Sequence, residues 1–308
     1  MRKQTATLES VREALKEQPR VAESPRAIRL ISCIDRPGII AGVAGRLFDL
    51  GCNIITSDQH TDDADGHFFW RIYFESIRRP LSELAENLTD CLPGLLPWEQ
   101  LRWHLHDVSR RDRMVIMVSR LAHCMMDLLS RYRFGELEAD VVGVISNHPD
   151  LEPLARPFGV PFEVIPVTKD KKPEAEARLL ARLVELKADT VVLARYMQVL
   201  SGDFLKKWQK PIVNIHHGFL PAFAGASPYR QAHDRGVKLI GATAHYVTEE
   251  LDAGPIIAQA TTAITHRDTI ADLARKGKDL EVIALAKAVR AHLHKQVLIH
   301  HHRTIVFE

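Results

Sequence analysis

Two stretches of this 308-residue chain carry side chains suited to acid–base chemistry. In the first, an apolar run over 211–215 holds Asn214 and passes into His216, His217, Gly218, Phe219, Leu220 and Pro221. Asn214 can donate to a carbonyl oxygen that becomes negative, and His216 can move a proton near neutral pH. Two residues apart on a strand, they point to the same face. A buried strand ending in such a pair delivers both side chains to the rim of an open α/β sheet, where ligands bind. His217 reads as a structural or water-positioning imidazole beside them. In the second stretch, a strand through Ala244, His245 and Tyr246 enters a polar loop over 247–252 and leaves through Gly254 and Pro255. That rigid exit can hold the carboxylate of Asp252 in place.

The elements that must position these groups alternate. Strands are expected over 114–118, 140–145, 162–167 and 190–193, and helices over 124–132, 174–186 and 273–294. Near-continuous Val/Ile/Leu strands between helices mean a mostly parallel, doubly wound sheet covered on both faces. The last helix reads as a packing element. This unit spans 113–308.

Ahead of it, residues 27–106 have a different order. A strand over 27–34 meets the turn Asp35, Arg36, Pro37, Gly38, with the proline placed to open a helix. Ile39, Ile40, Val43, Leu47 and Leu50 form one helical face, and Gly51 stops it. Strands over 52–60 and 68–74 flank an Asp65–Gly66 hairpin signal, followed by a helix over 81–92 and a strand over 98–106. Strand, helix, strand, strand, helix, strand is the ferredoxin-like βαββαβ arrangement. Residues 107–112 are a charged linker. Residues 1–26 are a polar extension in which Leu8, Val11 and Leu15 keep helical spacing, with Pro19 and Pro25 bracketing a linker.

Composition excludes several classes. Hydrophobic residues make up 46% and charged residues 26%, with a formal net charge of +2. These values describe a soluble globular chain with no nucleic-acid or membrane surface. No apolar run reaches the roughly 18 residues of a membrane span. The first residues hold no signal-peptide core, and Glu9, Glu13 and Glu17 argue against a transit peptide. The expected location is cytoplasmic. The four cysteines form no Cys-x-x-Cys pair and read as reduced, buried thiols. His300, His301 and His302 read as a hairpin turn, not a metal site, since no carboxylate or cysteine lies close in sequence.

The Asn-x-His strand end, the Leu251-Asp252-Ala253-Gly254-Pro255 loop and the run Leu220-Pro221-Ala222-Phe223-Ala224-Gly225 together resemble the folate-dependent formyltransferase fold. The resemblance implies catalytic roles for Asn214, His216 and Asp252. It places a pterin between two backbone segments, with Tyr196, Met197, Gln198, Val199 and Leu200 on one side and Val247, Thr248 and Glu249 on the other. Within the fold, the runs 216–223 and 241–248 are most similar to the deformylase branch, whose members pass the formyl group to water. Relatives that formylate a ribonucleotide carry a Gly-Ser-Asn turn for its phosphate. Here the corresponding turn is Val118-Ser119-Arg120-Leu121-Ala122-His123, without glycine and with bulky groups. The implied reaction is hydrolysis of 10-formyltetrahydrofolate to formate and tetrahydrofolate within one-carbon metabolism and purine biosynthesis. It needs no metal or redox cofactor. The alternative is transfer to another acceptor such as a ribonucleotide.

Residues 35–40 and the run Gly51-Cys52-Asn53-Ile54 resemble an ACT domain, a module that binds amino acids. The resemblance implies effector contacts from Asp35, Gly38, Ile39 and Asn53, with Asn53 near the loop that precedes the first helix. In that family paired subunits create the effector pocket, which implies a homo-oligomer. The competing reading has Asp35 merely capping the helix and the domain serving assembly.

Overall fold

The computed structural model describes residues 24–95, 101–222 and 227–308. The extension before residue 24, with its expected helix, and the first residues of the strand expected over 98–106 lie outside the described residues. The chain forms two compact units, Met1–Arg110 and Arg111–Glu308.

In the first unit the order is β1 (Arg26–Ile34), α1 (Ile39–Asp49), β2 (Cys52–Asp62), β3 (His67–Ser76), α2 (Leu81–Leu95) and β4 (Arg102–Asp107). The four strands form an antiparallel sheet in the order β2-β3-β1-β4. Alternate residues of β3, namely Phe68, Trp70, Ile72 and Phe74, share one core with Val43 and Leu47 of α1 and Leu84 and Leu88 of α2. The period of two on the strand and of three to four on the helices generates this layer pair.

Two expectations at the first turn need correction. Pro37 does not open α1. The turn residue ahead of the helix is Gly38 at φ 94°, a left-handed conformation that glycine reaches without strain, so Pro37 stays in the preceding turn. Asp35 does not cap the helix, whose N-terminus has no side-chain cap. Its carboxylate instead accepts from Thr61 Oγ1 at 3.2 Å.

The second unit carries a seven-stranded sheet in the order β11-β10-β9-β8-β5-β6-β7. Its elements are β5 (Asp112–Val118), α3 (His123–Arg133), β6 (Ala139–Ser146), α4 (Glu152–Ala155), β7 (Phe162–Val164), α5 (Lys172–Glu185), β8 (Thr190–Leu193), α6 (Gly202–Trp208), β9 (Ile212–His216), α7 (Pro228–Asp234), β10 (Leu239–Tyr246), β11 (Ile256–Ala263) and α8 (Ile270–Leu293). Strands β5 to β9 are parallel; β10 pairs antiparallel with β9, and β11 antiparallel with β10, so β10 alone is reversed. β7 is shorter than expected: its last bond to β6 runs from Ile165 N–H to the carbonyl of Ser146, the residue at which β6 itself ends.

The sheet is buried on both faces. Met114, Ile116 and Val118 of β5 enter a core shared with α3 and α8, whereas Val115 and Met117 enter the core shared with α5 and α6. A Thr269–Asp272 capping box starts the 24-residue α8. The chain ends in a hairpin of β12 (Val297–His300) and β13 (Arg303–Val306), which turns at His301 and His302, while His300 belongs to the strand and pairs with Arg303.

Candidate active site

Strand pairing brings the site together. β9 and β10 are antiparallel neighbours, with Asn214 opposite His245 and His216 opposite Thr243. The four side chains therefore form two cross-strand pairs at the end of β9. His245 is 2% exposed, and its Nδ1 donates to the carbonyl of Tyr246 at 2.9 Å. Its Nε2 is then the acceptor for Asn214 Nδ2–H at 3.1 Å. Burial pushes the His245 imidazole down, against its bond to the Tyr246 carbonyl. The tie fixes the Asn214 amide and uses one of its two N–H groups, leaving the second for a ligand.

Asp252 closes the arrangement from the loop between β10 and β11. Its Oδ2 lies 3.2 Å from His216 Nδ1, and its Oδ1 lies 3.9 Å from His245 Nε2. His216 is 5% exposed, so the contact sits away from bulk water. Asp252 takes a left-handed backbone at φ 57°, which Asp tolerates better than most residues. The loop is clamped at its exit: a Cβ on Gly254 would lie 1.7 Å from the Tyr246 carbonyl oxygen. Only a glycine lets the two backbone segments approach this closely.

The turn after β9 is held by Thr243, which is fully buried. Its hydroxyl donates to the Gly218 carbonyl at 2.9 Å and accepts from Leu220 N–H and Gln259 Nε2–H, each at 3.0 Å. This three-way bond fixes the position of His217, whose ring lies 5.3 Å from that of His216, centroid to centroid.

The same end of the sheet opens a cavity of about 750 Å³. Asn214, His216 and Asp252 line it, as do Tyr196, Met197, Gln198, Val199 and Leu200 from the loop after β8, and Val247, Thr248 and Glu249 from the loop after β10. Met197 and Val199 are half exposed, while Tyr196 and Leu200 are buried. An apolar slot with backbone edges on two sides suits a flat heteroaromatic group. Burial, then Glu176, pushes the Tyr196 hydroxyl up to about 12, so it is a neutral wall at ordinary pH. Ser119 braces this loop: its hydroxyl donates to Asn147 Oδ1 at 2.6 Å and accepts from Met197 N–H at 2.9 Å. In the turn after β5, Leu121 lines the cavity whereas Arg120 is exposed.

Sequence reasoning gave no role to His245, Thr243, Arg195, Tyr229 or Glu281. All but Thr243 also line the cavity. Glu281 projects from α8, expected to be a packing helix only, and is 1% exposed. Burial would push its carboxyl up, but bonds from His123 and Tyr229 and the charge of Arg195 outweigh this and hold it low. His123, Cys124 and Glu281 lie close enough to share an ion. Glu281 Oε2, however, already takes His123 Nε2 at 2.7 Å and Arg195 Nε at 3.3 Å. Burial also pushes the Cys124 thiol up, away from a metal-binding thiolate. The set fits a buried ion-pair cluster rather than a metal centre.

The effector residues expected in the first unit do not come together. Ile34, next to Asp35, pairs with His67 at one end of β3, while Asn53 pairs with Glu75 near the other. The antiparallel ladder separates them by nearly the length of the strand, so Asn53 is not beside the first turn of its own chain. Asn53 Nδ2 donates to Glu75 Oε1 at 3.1 Å. Ile39 is 2% exposed and belongs to the core, whereas Asp35 and Gly38 are exposed.

Fold and site define a formyltransferase-type catalytic unit joined to a small regulatory-type module, and comparison with known proteins agrees. The formyl transferase family model matches residues 112–289 and the ACT domain model matches residues 28–79. A formyltetrahydrofolate deformylase from Synechocystis sp. is 45% identical over 91% of this chain and 98% of its own length. The crystal structure of a formyltetrahydrofolate deformylase from Pseudomonas syringae superposes with a TM-score of 0.88 at 39% identity, covering 97% of this chain and 99% of that one. Glycinamide ribonucleotide transformylase 1 from Symbiobacterium toebii matches at a TM-score of 0.60 and 32% identity, over 64% of this chain and 95% of its own. The chain belongs to the formyltetrahydrofolate deformylase family.

Proposed function

We propose that this chain hydrolyses 10-formyltetrahydrofolate to formate and tetrahydrofolate. The observation that supports this best is the convergence of Asn214, His216 and Asp252 at the wall of the cavity. The pterin would lie between the 196–200 and 247–249 segments, presenting the formyl group to these three residues. Water attacks the formyl carbon, and the C=O π pair moves onto oxygen. Asn214 donates its remaining N–H to that oxyanion, with His216 alongside. The intermediate collapses with cleavage of the C–N10 bond, and N10 takes the electron pair together with the proton lost by the water. His216, oriented by Asp252, carries that proton. Formic acid then ionises and leaves as formate.

Supplying the substrate without any acceptor and measuring formate tests this reading. Asn214→Ala is expected to lower kcat by about 10²–10³ with little change in tetrahydrofolate binding, the usual cost of one lost oxyanion donor. Formate release that depends on an added amine or ribonucleotide would show transfer to that acceptor instead.

The first unit supports a regulatory part of the proposal: an amino-acid effector, and association of copies of the chain to complete its site. Among the described residues, no helix is long and apolar enough to cross a membrane.

A further inference from the structure

Beyond the three proposed catalytic residues, the cavity wall continues through His217 and Tyr229 to a buried polar cluster that the reaction above does not use. At its centre is the Glu281 carboxylate. Oε1 accepts from Tyr229 Oη–H at 2.7 Å, while Oε2 meets His123 and Arg195. Four segments thus converge on one carboxylate: the start of α3, the loop after β8, α7 and α8. Burying such charges is costly, and in a cleft this points to a functional role. The tyrosine ring has a prepared seat. Gly277 lies one turn before Glu281 on α8, and a Cβ there would fall 2.0 Å from Tyr229 Oη. The ring therefore lies against bare helix backbone, with its hydroxyl held at the next turn. Its other neighbour is His217, at 6.0 Å between centroids and 64° between planes. His217 in turn lies against His216. A continuous path of contacts runs from Glu281 through Tyr229 and His217 to His216 and Asp252.

We propose that His217 orients the attacking water, accepting a hydrogen bond from one of its O–H groups, and that Tyr229, tied to Glu281 and seated on Gly277, is the positioning residue for that ring. This inference rests on the deformylase reading above. An imidazole can accept only while one ring nitrogen is unprotonated. Burial pushes His217 down to about 4; Arg195 and His216 push the same way, while Glu281 and Asp252 oppose them. At neutral pH the ring is therefore an acceptor. So weak a base aims the water without keeping its proton. One O–H points to His217 and the oxygen lone pair is directed at the formyl carbon. The water oxygen forms the new C–O bond, the C–N10 bond breaks, and the proton reaches N10 through His216.

The test uses the full chain with 10-formyltetrahydrofolate, measuring single-turnover formate release, tetrahydrofolate binding and melting temperature on each preparation. His217→Leu removes the acceptor and is expected to lower kcat about 100-fold, the cost of a misplaced reactant, with tetrahydrofolate affinity within about threefold. His217→Asn restores an acceptor and should recover about tenfold of that loss. Tyr229→Phe keeps the ring and loses only the bond to Glu281; kcat should fall about tenfold with KM unchanged, a split that general loosening of the cavity would not give. His217→Leu within threefold of wild type overturns the inference, as does His217→Asn no faster than His217→Leu. A Tyr229→Phe chain in which KM rises as kcat falls overturns the positioning role. Wild-type protein that releases no formate at all overturns the deformylase reading and this inference together; active wild type with an active leucine variant overturns only the inference.

Discussion

Asp252 faces the His216 imidazole from a left-handed backbone position, which for a residue other than glycine costs on the order of 1 kcal/mol and persists only where the surroundings enforce it. Asp252→Asn is nearly isosteric and keeps the turn preference. It should preserve melting temperature and tetrahydrofolate binding while lowering kcat by about 10²–10⁴, the range for lost acid–base assistance. If the carboxylate served the loop alone, stability would fall and kcat of the folded fraction would stay at the wild-type value. His217 gives a prediction with a sign. Its imidazole titrates at about 4 in the folded chain and near its ordinary 6.5 once unfolded. Between these values the unfolded state binds the extra proton, so stability contributed at this residue is lost as pH falls from 6.5 towards 4. The loss is at most roughly 3 kcal/mol. In His217→Asn, urea midpoints between pH 7.5 and 5 should fall less steeply than in the wild type. Parallel profiles would show that His217 is not titrating as described.

At the scale of elements, the decisive contact is the antiparallel pair of β9 and β10. It sets His245 against Asn214 and Thr243 against His216. Thr243→Val keeps the β-branched shape and removes the hydroxyl, leaving Leu220 N–H and the Gly218 carbonyl short of a partner. Each buried group left unsatisfied costs about 1–3 kcal/mol, so the variant should lose about 2–4 kcal/mol in a urea melt. Because the same bonds fix the turn that carries His217, kcat should fall as well. A variant with wild-type stability would show that the turn is held by other contacts. Much at this scale was legible locally. The apolar periodicity of α1 and the near-continuous β5, β6 and β8 carry their own signals. The short helices α6 and α7 were not foreseen, since seven residues give too few turns for a period to register.

The whole molecule has two units, each with its own core. In the first, β2 is an edge strand of 11 residues, largely exposed, with Ile55 41% exposed. An open edge of this length is a pairing surface unless something covers it. Asp35 and Asn53 stand at opposite ends of β3, so an effector that touches both needs two copies of the chain. The full-length protein should therefore sediment as a homo-oligomer at micromolar concentration, and formate release should respond to one or more single amino acids. A monomer whose rate is indifferent to every amino acid would remove both the assembly and this route to regulation.

The sequence by itself determined what is local: an Asn-x-His strand end, a carboxylate in a loop closed by Gly254 and Pro255, alternating strands and helices, and a separate βαββαβ segment. Strand faces follow from a period of two and loop exits from glycine and proline, both properties of neighbouring residues. All eleven residues expected at the folate and catalytic positions line one cavity. Only the tertiary structure decided which distant residues join them. His245 is 31 positions from Asn214, Tyr229 is 52 from Glu281, and His123 is 158 from Glu281. Such contacts depend on sheet order and on which face of a long helix meets the cavity. Glu281 sits in a helical pattern as one more polar residue, and only packing against α3, α7 and the loop after β8 makes it a buried anchor. Likewise the separation of Asp35 from Asn53 is set by the direction in which β2 pairs with β3, a choice made between strands rather than within either one.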